Sequence, residues 1–138
     1  MTLKIIEPLQ RLICTEACVA SDDFYFVYDQ ANCLAHPTLK NPNKPDVPLF
    51  LKPYYLIEKH VDVLNTLLID DNLEKAMYNP FFTCIAPLPF EGDPKDTTLL
   101  EKLKPWLEGL QMYDGTIQDY VQENPFNTNV KGLNCLLN

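Results

Sequence analysis

Proline, more than any other residue, limits the shapes open to this chain. Twelve prolines stand against four glycines in 138 residues. Proline fixes φ and supplies no backbone N–H, whereas glycine is the residue that relaxes φ. The connections are therefore expected to be stiff and extended. Five prolines (37, 42, 45, 48, 53) cluster in one stretch, which predicts a Pro-rich, polyproline-like loop over 37–53 with a short strand at 47–51.

Regular structure has to fit between these breaks. Pro8 suits a first helical position, and Leu9, Leu12, Ile13 and Ala17 share a face, so 8–19 reads as a helix. Residues 24–28 (Phe-Tyr-Phe-Val-Tyr) carry the strongest strand signal, and their unbroken bulk predicts a central strand. One or two helical turns are expected over 31–39, ending before Pro37. A strand at 54–57 follows. Asp62 is placed to cap a helix carrying Val63, Leu64, Leu67 and Leu68. Asp71 and Glu74 match a capping box for a short helix through Met77. Residues 81–86 read as a third strand, closed by Pro87 and Pro89.

The best helix signal lies at 98–110. Thr98 and Glu101 form a capping-box pattern, and Leu99, Leu100, Leu103, Trp106, Leu107 and Leu110 make one apolar stripe. Pro105 interrupts it, which predicts a bend or a split at 101–105. After the Asp114-Gly115 turn, 117–121 reads as a last strand and 122–138 as an irregular C-terminal tail. Together these elements predict one globular domain over 1–138, of α/β or α+β class. Its sheet of about four strands (24–28, 54–57, 81–86, 117–121) is packed with helices.

Nineteen acidic residues face eleven basic ones, for a net charge of −8. The excess sits in the second part of the chain: net −1 up to Ile57 and −7 beyond it. Such a balance favours basic partners and repels phosphate backbones. Arg11 is the single arginine, so a nucleic-acid partner is not expected. The apolar runs are too short to span a bilayer. Five cysteines (14, 18, 33, 84, 135) are odd in number and scattered, and Glu7 and Pro8 interrupt any apolar leader, so a reducing cytoplasm is the expected location.

No reaction centre is legible. Cys14 and Cys18 with His36 lack the second close pair that a structural zinc site needs. A thiol working with His36 or His60 has no local signature. The acidic pairs Asp22/Asp23 and Asp70/Asp71 and the group Glu91, Asp93, Asp96 sit at turns or helix starts, where exposed N–H groups favour acids. The four glycines are isolated, which leaves no phosphate cradle. No cofactor and no metal are therefore expected. Tyr54, Tyr55 and Trp106 are the candidate partner-binding anchors, because aromatic residues dominate binding hot spots. Asp70, Asp71, Glu91, Asp93 and Asp96 are the candidate charged rim.

Several short motifs occur in an order that resembles the type VI secretion effector-adaptor (chaperone) family. Phe26-Val27-Tyr28-Asp29-Gln30-Ala31 is similar to its strand running into an Asp-x-Ala step. Pro48-Leu49-Phe50 and Pro53-Tyr54-Tyr55-Leu56-Ile57 resemble its Leu-Phe element and Pro-Tyr-Leu strand. The Leu-rich 99–110 segment, Asp114-Gly115 and Glu123-Asn124-Pro125 stand where that family has its late helix, Gly turn and final segment. The arginine of that final segment is absent here, and the helix carries Pro105.

The expectation is a non-enzymatic cytoplasmic protein-binding module. The resemblance implies that it holds a bacterial toxin or effector as an adaptor for secretion. An immunity protein that inhibits a toxin through an acidic face is the first alternative, and it requires acids concentrated in one patch. A small Cys/His or Asp/His enzyme is the second, and a viral or phage assembly factor the third. The adaptor reading requires an exposed apolar groove.

Overall fold

The structure is a computed structural model and describes residues 26–126. The helix expected at 8–19, the first two residues of the strand expected at 24–28 and the tail beyond 126 lie outside the described residues. Residues 26–28 are not in a strand, and among the described residues the 3-10 turn Gln30–Asn32 precedes the first strand. That turn is tied at both ends. Asp29 Oδ1 accepts from Ala31 N at 2.8 Å, and Asn32 Oδ1 accepts from Asp29 N at 2.9 Å. The longer helix expected over 31–39 does not form.

The proline-rich stretch is not a loop but a β-hairpin. Strand β1, Leu34–Asn41, runs antiparallel to β2, Lys44–Leu51, with Leu34 opposite Leu51 and Asn41 opposite Lys44. Proline and its preceding residue both favour extended backbone, so the dihedrals of a polyproline segment and of a strand are close neighbours. A two-stranded ribbon has only edge strands, so the missing proline N–H groups can face away from the partner. The pairing shifts register between Ala35 and Lys40. There His36 Nδ1 accepts the amides of Thr38 (3.2 Å) and Leu39 (2.9 Å), which stand in for the interrupted ladder. Strand alternation then sends Leu49 and Leu51 inward, both essentially fully buried. Each contributes about 1.5–3 kcal/mol of apolar burial.

The next segments are tighter than their sequence pattern predicts. Tyr54–Leu56 is a 3-10 turn rather than a strand, started by Pro53 and held by the Asn79 side chain. Asn79 accepts from Tyr54 N at 2.7 Å and donates to the Lys52 carbonyl at 3.0 Å. Asp62 caps as expected, accepting from Leu64 N, but only the 3-10 turn Val63–Asn65 follows. The short helix after Asp71 is a 3-10 turn, Leu73–Ala76, whose cap is Asn72.

Strand β3, Leu68–Ile69, lies parallel to β4, Cys84–Ile85. The described residues therefore hold two separate two-stranded sheets in place of the single four-stranded sheet expected. The mixed helix-and-strand class stands. The Leu-rich segment starts as a π-helical stretch, Thr98–Leu103, and continues as helix α1, Lys104–Met112. Pro105 falls in the first turn of α1, where its missing N–H is tolerated. The split expected at 101–105 is thus a change of helix type. The 117–121 strand is instead helix α2, Ile117–Glu123, capped by Thr116, whose Oγ1 accepts from Asp119 N at 3.1 Å. The helices pack Leu103 and Val121 against Ile85 of β4, with Trp106, Leu107, Ile117 and Phe126 around them.

Candidate functional site

Asp70 and Tyr54, expected at a partner-facing surface, are interior groups. The Asp70 side chain is 4% exposed and lies between two ammonium groups, Lys52 Nζ at 2.5 Å and Lys75 Nζ at 2.8 Å. Burial pushes its pKa up, but the hydrogen bonds from Lys52 and Lys75 outweigh that and hold the carboxyl at about 2. Lys75 also reaches Asp71 at 3.2 Å. Burial lowers the pKa of Lys75, and its bonds to Asp70 and Asp71 more than reverse the effect, so it sits above its ordinary value. Asp71 itself faces solvent. Tyr54, 4% exposed, donates its hydroxyl to the Thr83 carbonyl at 2.6 Å, with the Thr66 carbonyl 3.1 Å away. Burial pushes the phenol to about 12. Tyr54 also lines a cavity.

Trp106 is half-buried and packs against neighbouring rings. Its Nε1–H donates to the Asn124 carbonyl at 2.8 Å, and its ring meets Tyr120 and Phe126 edge to face. Tyr55 is exposed, as a partner anchor requires. Glu91, Asp93 and Asp96 are exposed as well. Asp93 and Asp96 cap local turns, accepting from Lys95 N and Thr98 N. Hydrogen bonding from the Thr98 side chain, and then from its backbone N–H, lowers the pKa of Asp96. The eight candidates therefore do not converge. Asp70 and Asp71 form one cluster with lysines, Glu91, Asp93 and Asp96 line a second segment, and the aromatics are divided between interior and surface.

Exposed apolar side chains are instead frequent in and around the expected strand 81–86. Only Cys84–Ile85 pairs as a strand, and the residues before and after it turn outward. Phe81 is 58% exposed and Phe90 71%, with Tyr78 and Leu88 also exposed and Phe82 partly so. Phe82 has φ of 60°, a conformation that costs a non-glycine residue about 1–2 kcal/mol. Phe81 and Phe82 border a shallow groove of about 160 Å³, floored by Ile85, Val121, Pro125 and Phe126. Exposed Leu99 and Leu100 continue the apolar character into the π-helical stretch. Pro80 and Pro87 leave six residues between them, enough for a strand of ordinary length, so the sequence carried no signal for this outward turn.

A second concavity, of about 740 Å³, lies between segment 26–33, the hairpin and the Tyr54–Leu56 turn. Leu49, Phe50, Leu56, Ile57 and Leu67 line it together with Lys52, Lys75 and Asp29. Tyr28 on its rim is held by His60, with the hydroxyl 3.0 Å from Nε2. The Phe26 and His60 rings stack at 4.8 Å. Cys33 lines the same cavity, and burial raises its thiol pKa. Burial raises that of Cys84 to about 12, with Asp70 adding to the effect.

Among the described residues no group of three or more His, Cys, Asp or Glu is placed to hold a metal ion, and no helix is long and apolar enough to cross a membrane. No protein-family model matches the chain, and neither a curated protein nor a solved structure is significantly similar to it.

Proposed function

We propose that this protein is a non-enzymatic binding module that docks another protein on the apolar face built by residues 78–90. The apolar groove bordered by Phe81 and Phe82 carries this reading, and the same stretch of chain also exposes Tyr78 and Phe90. Exposed apolar residues grouped in this way, next to charged ones, are characteristic of interaction surfaces. Glu91, Asp93 and Asp96 follow Phe90 directly and supply an acidic edge, so the favoured partner is basic.

The adaptor version, in which the chain holds a bacterial toxin or effector in the cytoplasm for delivery to secretion machinery, is the better fit. It requires an apolar groove. An inhibitor acting through a concentrated acidic patch is less well supported, because Asp70 is buried between lysines and Asp71 is paired with Lys75. The test is affinity capture from the native cell with the wild type and with a Phe81→Asp/Phe90→Asp variant. A basic partner retained by the first and lost by the second is expected. Equal retention by both would remove the apolar face from the account.

A further inference from the structure

We propose that the cavity between segment 26–33 and the hairpin is the docking site for this chain's own residues 8–19, with Leu9, Leu12 and Ile13 inserted. This inference is independent of the protein-docking face and uses different residues.

The cavity calls for an apolar occupant. It measures about 740 Å³, and Leu49, Phe50, Leu56, Ile57, Leu67 and Leu68 are among its walls. Water filling such a space would find few hydrogen-bond partners on those side chains. The charges beside them are already matched. Lys52 and Lys75 bond Asp70, and Lys75 also bonds Asp71. Asp29 lines the cavity as well. No ion of either sign is favoured there, whereas burying apolar side chains is.

Connectivity supplies those side chains. Phe26, the first described residue, is itself part of the wall. Residues 20–25 therefore tie the 8–19 segment to the cavity, and a six-residue link reaches at most about 20 Å. The helix expected at 8–19 is about 18 Å long. The break in helical pattern at Ser21-Asp22-Asp23 allows it to turn back across the cavity. Leu9, Leu12 and Ile13 share one face of that helix. Glu16 falls on the same face one turn later, which confines the insertion to the part before it. A segment on so short a tether meets its site at a millimolar effective concentration. A second copy or a separate partner would have to match that concentration to displace it.

Native thiols report from both sides. Cys14 and Cys18 lie in the segment, and half-buried Cys33 lines the cavity. The test treats the full chain with a bulky maleimide and follows each cysteine by mass spectrometry. Cys33 should react about tenfold faster in Leu12→Asp/Ile13→Asp than in wild type, because thiol reactivity follows exposure. Leu12→Met/Ile13→Leu should keep the wild-type rate. Cys84, on the separate groove at Phe81, should keep its rate in all three proteins. A short bismaleimide should join Cys33 to Cys14 or Cys18 within one wild-type chain, with a clearly lower yield in the aspartate variant. Should the aspartates accelerate Cys84 too, that variant has unfolded and the wild-type crosslink decides. An unchanged Cys33 rate beside an unchanged Cys84, no crosslink to Cys33, or a crosslink only between two chains would overturn the proposal.

Discussion

Replacing Asp70 by asparagine removes one charge and almost no volume, and the structure fixes what that should cost. In the folded protein the carboxyl titrates at about 2 rather than 3.8. At 1.36 kcal/mol per pH unit this difference corresponds to about 2 kcal/mol of stability at neutral pH. A fully buried pair broken on one side costs about 3–5 kcal/mol. Here Lys52 and Lys75 are 44% and 25% exposed and can turn to water, so the lower figure is the relevant one. Asparagine also keeps an acceptor for Asn72 N, which Asp70 Oδ1 holds at 3.0 Å. The sign of the pH dependence follows from the depressed value. The contribution is fully present above the unfolded carboxylate pKa and is lost as pH falls through about 2. Urea unfolding followed by circular dichroism, at steps from neutral pH down to about pH 2.5, gives the difference between wild type and Asp70→Asn. That difference should be about 2 kcal/mol near neutrality and shrink steadily below about pH 4. Acids remote from Asp70 titrate in both proteins and cancel, while Asp71 keeps Lys75 as its partner in either. A difference under about 0.5 kcal/mol at neutral pH, or one that stays constant to the lowest pH, would refute the ion-pair reasoning.

Three further outcomes are expected. Gly109→Ala should destabilise by about 1–2 kcal/mol despite alanine's better helix propensity, because a Cβ there would overlap the Tyr120 hydroxyl that donates to the Trp106 carbonyl at 2.9 Å. In a Tyr120→Phe background the same change should become neutral or stabilising, and thermal unfolding of the four proteins measures the coupling. Phe82→Gly should leave stability within about 1 kcal/mol of wild type, since relief of the positive φ offsets lost burial, while weakening partner capture. Site-resolved mass spectrometry after iodoacetamide labelling at pH 8 should find Cys84 alkylated far more slowly than a free thiol, with its thiol pKa at about 12. Rapid labelling in the folded state would contradict that burial.

Local signals in the sequence located most element positions but often not their type. The caps at Asp62 and near Asp71 were legible because a side-chain acceptor before a turn is a short-range feature. The 117–121 segment shows where such reasoning divides: Ile117, Tyr120 and Val121 fit a helix face, and Thr116 with Asp119 is its cap, yet β-branched and aromatic content suggested a strand. The 34–51 hairpin was hidden by its prolines, because polyproline and β backbones differ in hydrogen-bond partners more than in dihedral angles. Lys52 could not be linked to Asp70 from sequence, since the pair is joined only when β2 and the segment after β3 come together. Burial of Tyr54 and the packing of a half-buried Trp106 against Tyr120 and Phe126 were likewise tertiary outcomes, and Phe81, Phe82 and Phe90 are among the aromatics left exposed.

The central claim is that residues 78–90 form the docking face, and a photoreactive amino acid placed at one position at a time tests it most directly. Benzoylphenylalanine at 81 and at 90, irradiated in the native cell, should each yield an adduct with the same basic polypeptide, and the same probe at exposed Lys40 on the hairpin should yield none. No adduct at 81 and 90, or one at 40 of equal yield, would contradict the account.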